Sequence, residues 1–265
     1  MTHYVFTEAT VEQTAEMQAI FHKQACAPLD GMWLSFAAMA EHYFIAENDV
    51  NIGYYAINNE QKLLQFYVEP SHDPKTVFQA LLTSKTVRGA MVSTAEPEYL
   101  SLSLDHQASL SVNGLMYHFQ DSAVIEKAIF PSGANFKLII QEELETAIDF
   151  AHLALGADRN WLNGYYSDRI KGEELFGLWL NGALIAAGEC RPSKEQPAYA
   201  DVGMVVSPSY RAKGLATNIL RKLIQISREK GLKPICSTEF ENIGAQKSIA
   251  RSGFVSHHRI LDVKF

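Results

Sequence analysis

The chain has 265 residues, 47% hydrophobic and 20% charged, with a net charge of −7; this is an ordinary globular mixture, long enough for two domains, and its acidity argues against nucleic acid or an anionic membrane as a partner. Three cysteines (Cys26, Cys190 and Cys236) are too few and too widely spaced for a disulfide framework or a zinc site. No apolar run is long enough to span a bilayer, and the first ten residues, with Glu8 and no Lys or Arg, lack the features of a signal peptide, so the expected location is the cytoplasm.

In chain order, Tyr43 to Ala46 and Val50 to Ile57 read as paired strands around Asn48-Asp49. Leu63 to Val68 is a third strand ending in Glu69-Pro70, Val77 to Ser84 a helix, Ala90 to Thr94 a strand, and Val112 to Phe119 another strand. Gln120 to Asn135, with Phe130-Pro-Ser-Gly-Ala-Asn135 inside it, has the punctuation of a linker. Glu142 to Leu155 reads as a helix with Leu144, Ile148, Ala151 and Leu155 on one side. Asn181-Gly182, between two apolar runs in Glu174 to Glu189, is the clearest hairpin, since both residues accept the positive φ of a tight type I′ turn.

Tyr199 to Val206 follows as a strand whose continuous apolar core, Val202-Gly-Met-Val-Val206, suits burial on both faces. The loop Ser207 to Gly214 leads into a helix reaching about Lys230, with Leu215, Ile219, Leu220, Leu223 and Ile224 at helical spacing and Gly231 as its C-cap. A strand at Pro234 to Thr238, a short helix at Ile243 to Arg251 and a last strand at Val255 to Phe265 complete the chain. The two halves follow one order: Glu69-Pro70 corresponds to Ser207-Pro208, Ser93-Thr-Ala-Glu96 to Ser237-Thr238-Glu239, and Val112 to Phe119 to the terminal strand. An internal duplication is therefore expected, with domains over 1–125 and 136–265.

Chemistry concentrates in Val202 to Thr217, where a strand enters a glycine-containing loop that opens a helix. Free N–H groups and the dipole at a helix start form an anion site. Gly214 and Ala216 leave room for a pyrophosphate to approach the backbone, and Arg211 and Lys213 add positive charge; without the Gly-x-Ala that follows, those two would read as a solvated loop. Neither the nucleotide P-loop spacing nor the dinucleotide glycine pattern is present.

Arg211-x-x-Gly214-x-Ala216 after an apolar strand resembles the coenzyme-A signature of the GNAT superfamily of N-acetyltransferases. The order strand, loop, long helix, strand, Asn242-Ile-Gly-Ala245 and then Gly253-Phe254 is also similar to that superfamily. The likeness covers Glu173 to Phe265 well and Phe136 to Lys171 loosely, while the N-terminal half looks like a degenerate copy. Its counterpart loop, Glu69 to Thr76, lacks the signature, so no coenzyme A is expected there. The two-part layout is similar, more weakly, to bacterial acetyltransferases of the zwittermicin-A-resistance type.

The resemblance implies a mixed α/β sheet flanked by helices and acetyl-CoA as co-substrate. It implies that Met204, Val205 and Val206 present backbone groups to the pantetheine arm. Arg211, Ala212, Lys213, Gly214, Leu215, Ala216 and Thr217 would wrap the pyrophosphate with main-chain amides, and Asn242 would contact the cofactor or a water near the thioester. The tyrosine that the superfamily often places seven residues after that asparagine is absent, because the position is Ile249. Tyr165, Tyr166 or Tyr199 stands as a replacement acid, or the thiolate leaves unassisted. Trp161, Tyr165 and Tyr166 lie in the region that covers the acceptor in the superfamily; packing against the core is the equal alternative.

A neutral amine must attack the thioester, although free alkyl amines have a pKa around 10, so a proton acceptor is needed. Asp201 is the first candidate, since an acid inside a buried strand is unusual; Glu239 is second and Glu189 third. Each has a plainer role available, Asp201 as an ion-pair partner and Glu239 as a helix cap. The histidines show no metal-ligand spacing. The expected activity is acetyl-CoA-dependent N-acetylation of a small-molecule amine. The alternatives are a non-catalytic acyl-CoA-binding module and a protein N-acetyltransferase.

Overall fold

The computed structural model describes residues 4–265; Met1 to His3, inside the expected N-terminal domain, lie outside the described residues. The chain forms two compact units, one of the residues up to Met116 together with Ser256–Phe265, the other of Tyr117–Val255.

The first unit comprises β1 (Tyr4–Ala9), α1 (Ala15–Gln24), α2 (Gly31–Ala38), β2 (Glu41–Glu47), β3 (Val50–Ile57), β4 (Lys62–Val68), α3 (Pro74–Ser84), β5 (Gly89–Ser93), α4 (Pro97–Asp105) and most of β6 (Ser109–Phe119). Asn48 and Asp49 both have positive φ, 50° and 66°, and close the β2–β3 hairpin as their residue types demand. Asp73 starts α3 by accepting from the Lys75 and Thr76 amides, with Pro74 at the first helical position where its missing N–H costs nothing. Phe78 and Leu81 of α3 pack with Tyr55, Leu63 and Phe66 of the sheet.

The second unit comprises β7 (Asn135–Leu138), α5 (Leu144–Leu155), α6 (Arg159–Lys171), β8 (Leu175–Leu180), β9 (Ala183–Pro192), β10 (Tyr199–Val206), α7 (Leu215–Glu229), β11 (Lys233–Glu239), α8 (Ile243–Arg251) and the start of β12 (Phe254–Lys264). Its strands run in the order β11-β10-β9-β8-β7, and Asn181 and Gly182, at φ 50° and 80°, make the β8–β9 turn. The stripe Leu215, Ile219, Leu220, Leu223 and Ile224 is buried as its spacing requires. Gly188 of β9 lets α7 close down, since a Cβ there would lie 2.8 Å from Ile219 Cγ2. Ile148, Leu162 and Tyr166 of α5 and α6 pack with Leu175 of β8 in a separate cluster. Each unit is thus a mixed sheet flanked by helices, the expected class.

The terminal strand shows where the compact units depart from a linear division of the chain. Residues 260–264 of β12 pair antiparallel with β5, from Ile260↔Ser93 to Lys264↔Gly89, and so group with the first unit. Gly89 makes this approach possible, because a Cβ there would sit 2.1 Å from the Val263 carbonyl oxygen.

Inside the first unit, β4 and β5 are paired in parallel only at Lys62↔Gly89 and Leu63↔Ala90. Beyond that point Gln65, Phe66, Tyr67 and Val68 are nevertheless all buried. Polar groups gather there: the Tyr54 hydroxyl donates to Gln65 Oε1 at 3.2 Å, and Gln65 Nε2 meets His22 Nε2 at the same distance. Glu96 is 4% exposed; its Oε2 accepts from the Ser93 amide at 2.7 Å, while its Oε1 and the Tyr99 hydroxyl have no hydrogen-bond partner among the described residues. Burial pushes the Glu96 carboxyl up from 4.5 to about 8.

Between those two values the folded chain holds a proton that the unfolded chain has released, so stability falls as pH rises across that window and levels off above it. Glu96→Gln is expected to remove this slope, on the order of a few kcal/mol. Denaturant unfolding of both proteins at about pH 5 and about pH 8.5 checks it; parallel pH dependence in the two would contradict the assignment.

Candidate active site

In the second unit, β10 and β11 also begin as parallel neighbours and then part. Their register covers Tyr199↔Lys233, Ala200↔Pro234 and Asp201↔Ile235. On its other edge β10 continues against β9 as far as Val206↔Ala186. From Val202 onward, therefore, β10 is paired along one edge only. Backbone N–H and C=O groups withdrawn from water need partners, and this edge offers its groups to whatever enters the split. Met204 and Val205, the residues expected to meet the pantetheine arm, are half-buried, and Val206 is buried.

The loop after β10 makes a short 3-10 turn over Pro208–Tyr210, then passes through Ala212 and Gly214, both in the left-handed region at φ 59° and 78°. Gly214 is the N-cap of α7, and no side chain caps this helix, so the first-turn amides of Leu215, Ala216 and Thr217 are left without a side-chain partner, the arrangement that favours an anion. The two cations have a different role from the one that charge alone suggests. Arg211 donates through Nε to the Val206 carbonyl at 3.1 Å and through Nη2 to the Ala154 carbonyl at 2.9 Å. Lys213 donates to the Ser209 carbonyl at 3.0 Å and lies 5.0 Å from the Tyr210 ring centroid. Both side chains therefore brace the loop, leaving the main-chain amides and the dipole of α7 as the positive potential at this helix start.

The three acids separate clearly. Glu239 ends β11 and is exposed. Asp201 is buried in β10, opposite Arg191 of β9 and within the stretch still paired with β11. Glu189 of β9 stands opposite Gly203, just inside the split. Its Oε2 accepts from the Tyr165 hydroxyl at 2.6 Å and lies 3.3 Å from Arg191 Nε. A Cβ built on Gly203 would meet nothing within 4 Å, so this glycine leaves open space on the sheet beside Glu189.

Tyr165 completes the group from α6. Burial, and next the charge of Glu189, drive its hydroxyl well above the ordinary tyrosine value, so it stays protonated and keeps donating. Trp161 stacks on its ring at 4.8 Å between centroids and is 42% exposed, and Arg169 lies 5.4 Å from the same ring. Tyr166, by contrast, is buried in the core cluster. Asn242 caps α8, its Oδ1 accepting from the Ala245 amide at 3.1 Å, and Ile249 is buried. The Tyr165–Glu189–Arg191 cluster is the part that sequence reasoning did not assemble, because its members come from α6 and β9; the only sequence signal was an acid and a tyrosine on elements preceding the split.

Two family models match the chain: the acetyltransferase (GNAT) domain over residues 10–122 and the acetyltransferase (GNAT) family over residues 139–254. Among solved structures, an acetyltransferase of the GNAT family from Colwellia psychrerythraea is 36% identical with a TM-score of 0.92, covering 98% of this chain and 99% of that one. A GCN5-related N-acetyltransferase from Sphaerobacter thermophilus is 12% identical, with a TM-score of 0.67 over 98% of this chain and 94% of that one. A tandem GNAT protein from the clavulanic acid biosynthesis pathway is 13% identical, with a TM-score of 0.68 over 99% of this chain and 98% of that one. These last two share the fold. Among curated proteins nothing matches. The chain belongs to the GNAT family of acetyltransferases, and it is an N-acetyltransferase with two GNAT domains.

Gly214→Ala isolates the conformational demand of the loop. Its Cβ would meet only Asn218 Nδ2, at 3.9 Å, so the expected cost is strain at positive φ, about 1 kcal/mol. Thermal unfolding of the variant checks it, and an unchanged midpoint would mean that the loop relaxes freely.

Proposed function

We propose that the protein transfers the acetyl group of acetyl-CoA to a primary amine of a small molecule, working in the cytoplasm at the split between β10 and β11. The observation that carries this reading is the one-sided edge of β10 from Val202 onward, with open space over Gly203 beside the Glu189 carboxylate. The open edge is suited to the amide groups of a pantetheine arm, and the uncapped start of α7 to a pyrophosphate. The free cysteines and the lack, among the described residues, of any helix long and apolar enough to cross a membrane are in keeping with the cytoplasm.

Acetyl-CoA supplies an activated thioester. The amine nitrogen attacks its carbonyl carbon, the C–S bond breaks as the C–N bond forms, and coenzyme A leaves as thiolate. Backbone N–H groups of β10 near Val205 are the donors for the developing oxyanion. Glu189 attracts the ammonium form of the acceptor and takes the proton lost on attack, passing it to solvent; its bond from Tyr165 fixes the carboxylate's orientation. Ile249 has no proton to give, so the thiolate departs unassisted and is protonated by water. That is workable for a thiol pKa near 8.5. Glu189 is favoured over Asp201 because it faces the open space, whereas Asp201 is buried in the paired stretch.

The N-terminal domain is read as a degenerate copy that holds no coenzyme A. Aligning the halves on Val206-Ser207-Pro208 and Val68-Glu69-Pro70 sets Gln65 where the second unit has Gly203. Gln65 is 2% exposed and bonded to Tyr54 and His22, so the corresponding space is filled by protein.

Two variants test the reading. Gly214→Asp is expected to abolish acetyl-CoA binding in a calorimetric titration, because a carboxylate at the start of α7 repels the pyrophosphate. Glu189→Gln is expected to retain acetyl-CoA affinity while kcat for amine acetylation, followed by thiol release, falls about 100-fold or more. Full acetyl-CoA affinity in Gly214→Asp would remove the binding site from this loop; full turnover in Glu189→Gln would remove the base. Acetyl-CoA binding with no turnover on any amine would favour a binding module.

A further inference from the structure

The first unit contains a cavity of 590 Å³ that acetyl transfer does not use. We propose that it is a binding site for a small organic cation, an amine carrying a flat apolar body.

Helix α2 supplies the apolar wall through Trp33 and Phe36, with Met39 just beyond its end. Phe36 is 45% exposed and Met39 69%, an unusual exposure for side chains of this kind on one short segment. Met91 of β5 and Leu64 of β4 pack with Trp33 and form the floor. Asp262 stands opposite Met91 in the β12–β5 register and so shares this face of the sheet.

The charges select the ligand. Asp262 accepts from the Lys62 ammonium on Oδ2 at 2.9 Å, while its Oδ1 is buried with no hydrogen-bond partner among the described residues. Glu60 lies 3.5 Å from the same lysine, and Glu41 also lines the cavity. Three carboxylates and one ammonium thus line the cavity, and two of the carboxylates already hold the ammonium. The surplus negative charge attracts a cation and repels an anion, and the Trp33 and Phe36 faces suit a cation with a flat body. A neutral apolar guest would leave that surplus charge uncompensated. The split that would make this unit catalytic is filled by Gln65 and its partners, so the cavity binds its guest without turning it over. The inference does not depend on the acceptor proposed for the other unit.

The test is a methyl NMR titration of the full chain labelled with 13C at its methionine methyls, using phenethylamine as probe and 3-phenylpropionate as an anion with the same ring. Phenethylamine is expected to shift the Met39 and Met91 methyls saturably at concentrations where the anion does not. Met204, in β10, reports separately on the acetyl-transfer unit and is expected to follow a different titration curve. Met39→Lys adds a competing charge at an exposed position and is expected to weaken the amine at least about tenfold, read at Met91. Asp262→Asn is expected to do the same, and the exposed variant keeps the test valid should loss of the Lys62 pair unfold the chain. Absence of saturable shifts at Met39 and Met91, equal response to amine and anion, or indifference to Met39→Lys would each overturn the proposal.

Discussion

The separation of two parallel strands is the constraint on which the second unit depends. β10 and β11 share three register pairs and then part, leaving backbone donors and acceptors of β10 without a strand neighbour. A buried sheet cannot hold such an edge empty at no cost, because main-chain polar groups require partners. The edge is maintained from the other side, where β9 pairs with β10 along its length and Gly188 lets α7 pack closely on the two strands. Arg211 ties the carbonyl of Val206 to the loop that follows, so the end of the split and the start of α7 hold a defined spacing.

Electrostatics in this unit runs through short-range bonds rather than through net charge. The overall charge is −7, yet the uncapped amides and the helix dipole at the start of α7 supply a local positive potential without a free side-chain cation. Its two nearby cations spend their donors on carbonyl groups. On the opposite face of the sheet, Glu189 is held by Tyr165 and Arg191. These contacts fix the direction of the carboxylate.

The first unit shows how the same architecture is closed. β4 and β5 part after two pairs, but Gln65, Tyr54, Tyr99 and Glu96 occupy the region with side chains rather than leaving it open. Closing it has a cost, since Glu96 must stay protonated near neutral pH and two polar atoms there go without partners. The buried uncharged carboxyl of Glu96 couples the stability of this unit to pH.

Periodicity and turn chemistry alone determined the elements around the site: the Asn48-Asp49 and Asn181-Gly182 hairpins, the α7 stripe, and the strand–loop–helix from Val202 to Thr217. These are local properties, set by φ preferences and side-chain spacing within a few residues. β1, α1, α2 and α4 escaped the reading because their sequences carry weak amphipathic patterns and their burial is decided by neighbours distant in the chain. Pairing and adjacency were likewise beyond reach. That residues 260–264 of β12 would take the edge of β5, that Glu189 would face open space over Gly203 with Tyr165 bonded to it, and that Asp201 would lie in the paired stretch are all long-range outcomes. Only the tertiary structure decides them, because one residue of register shift moves a side chain to the other face of a sheet, and no local signal records which register the whole sheet selects.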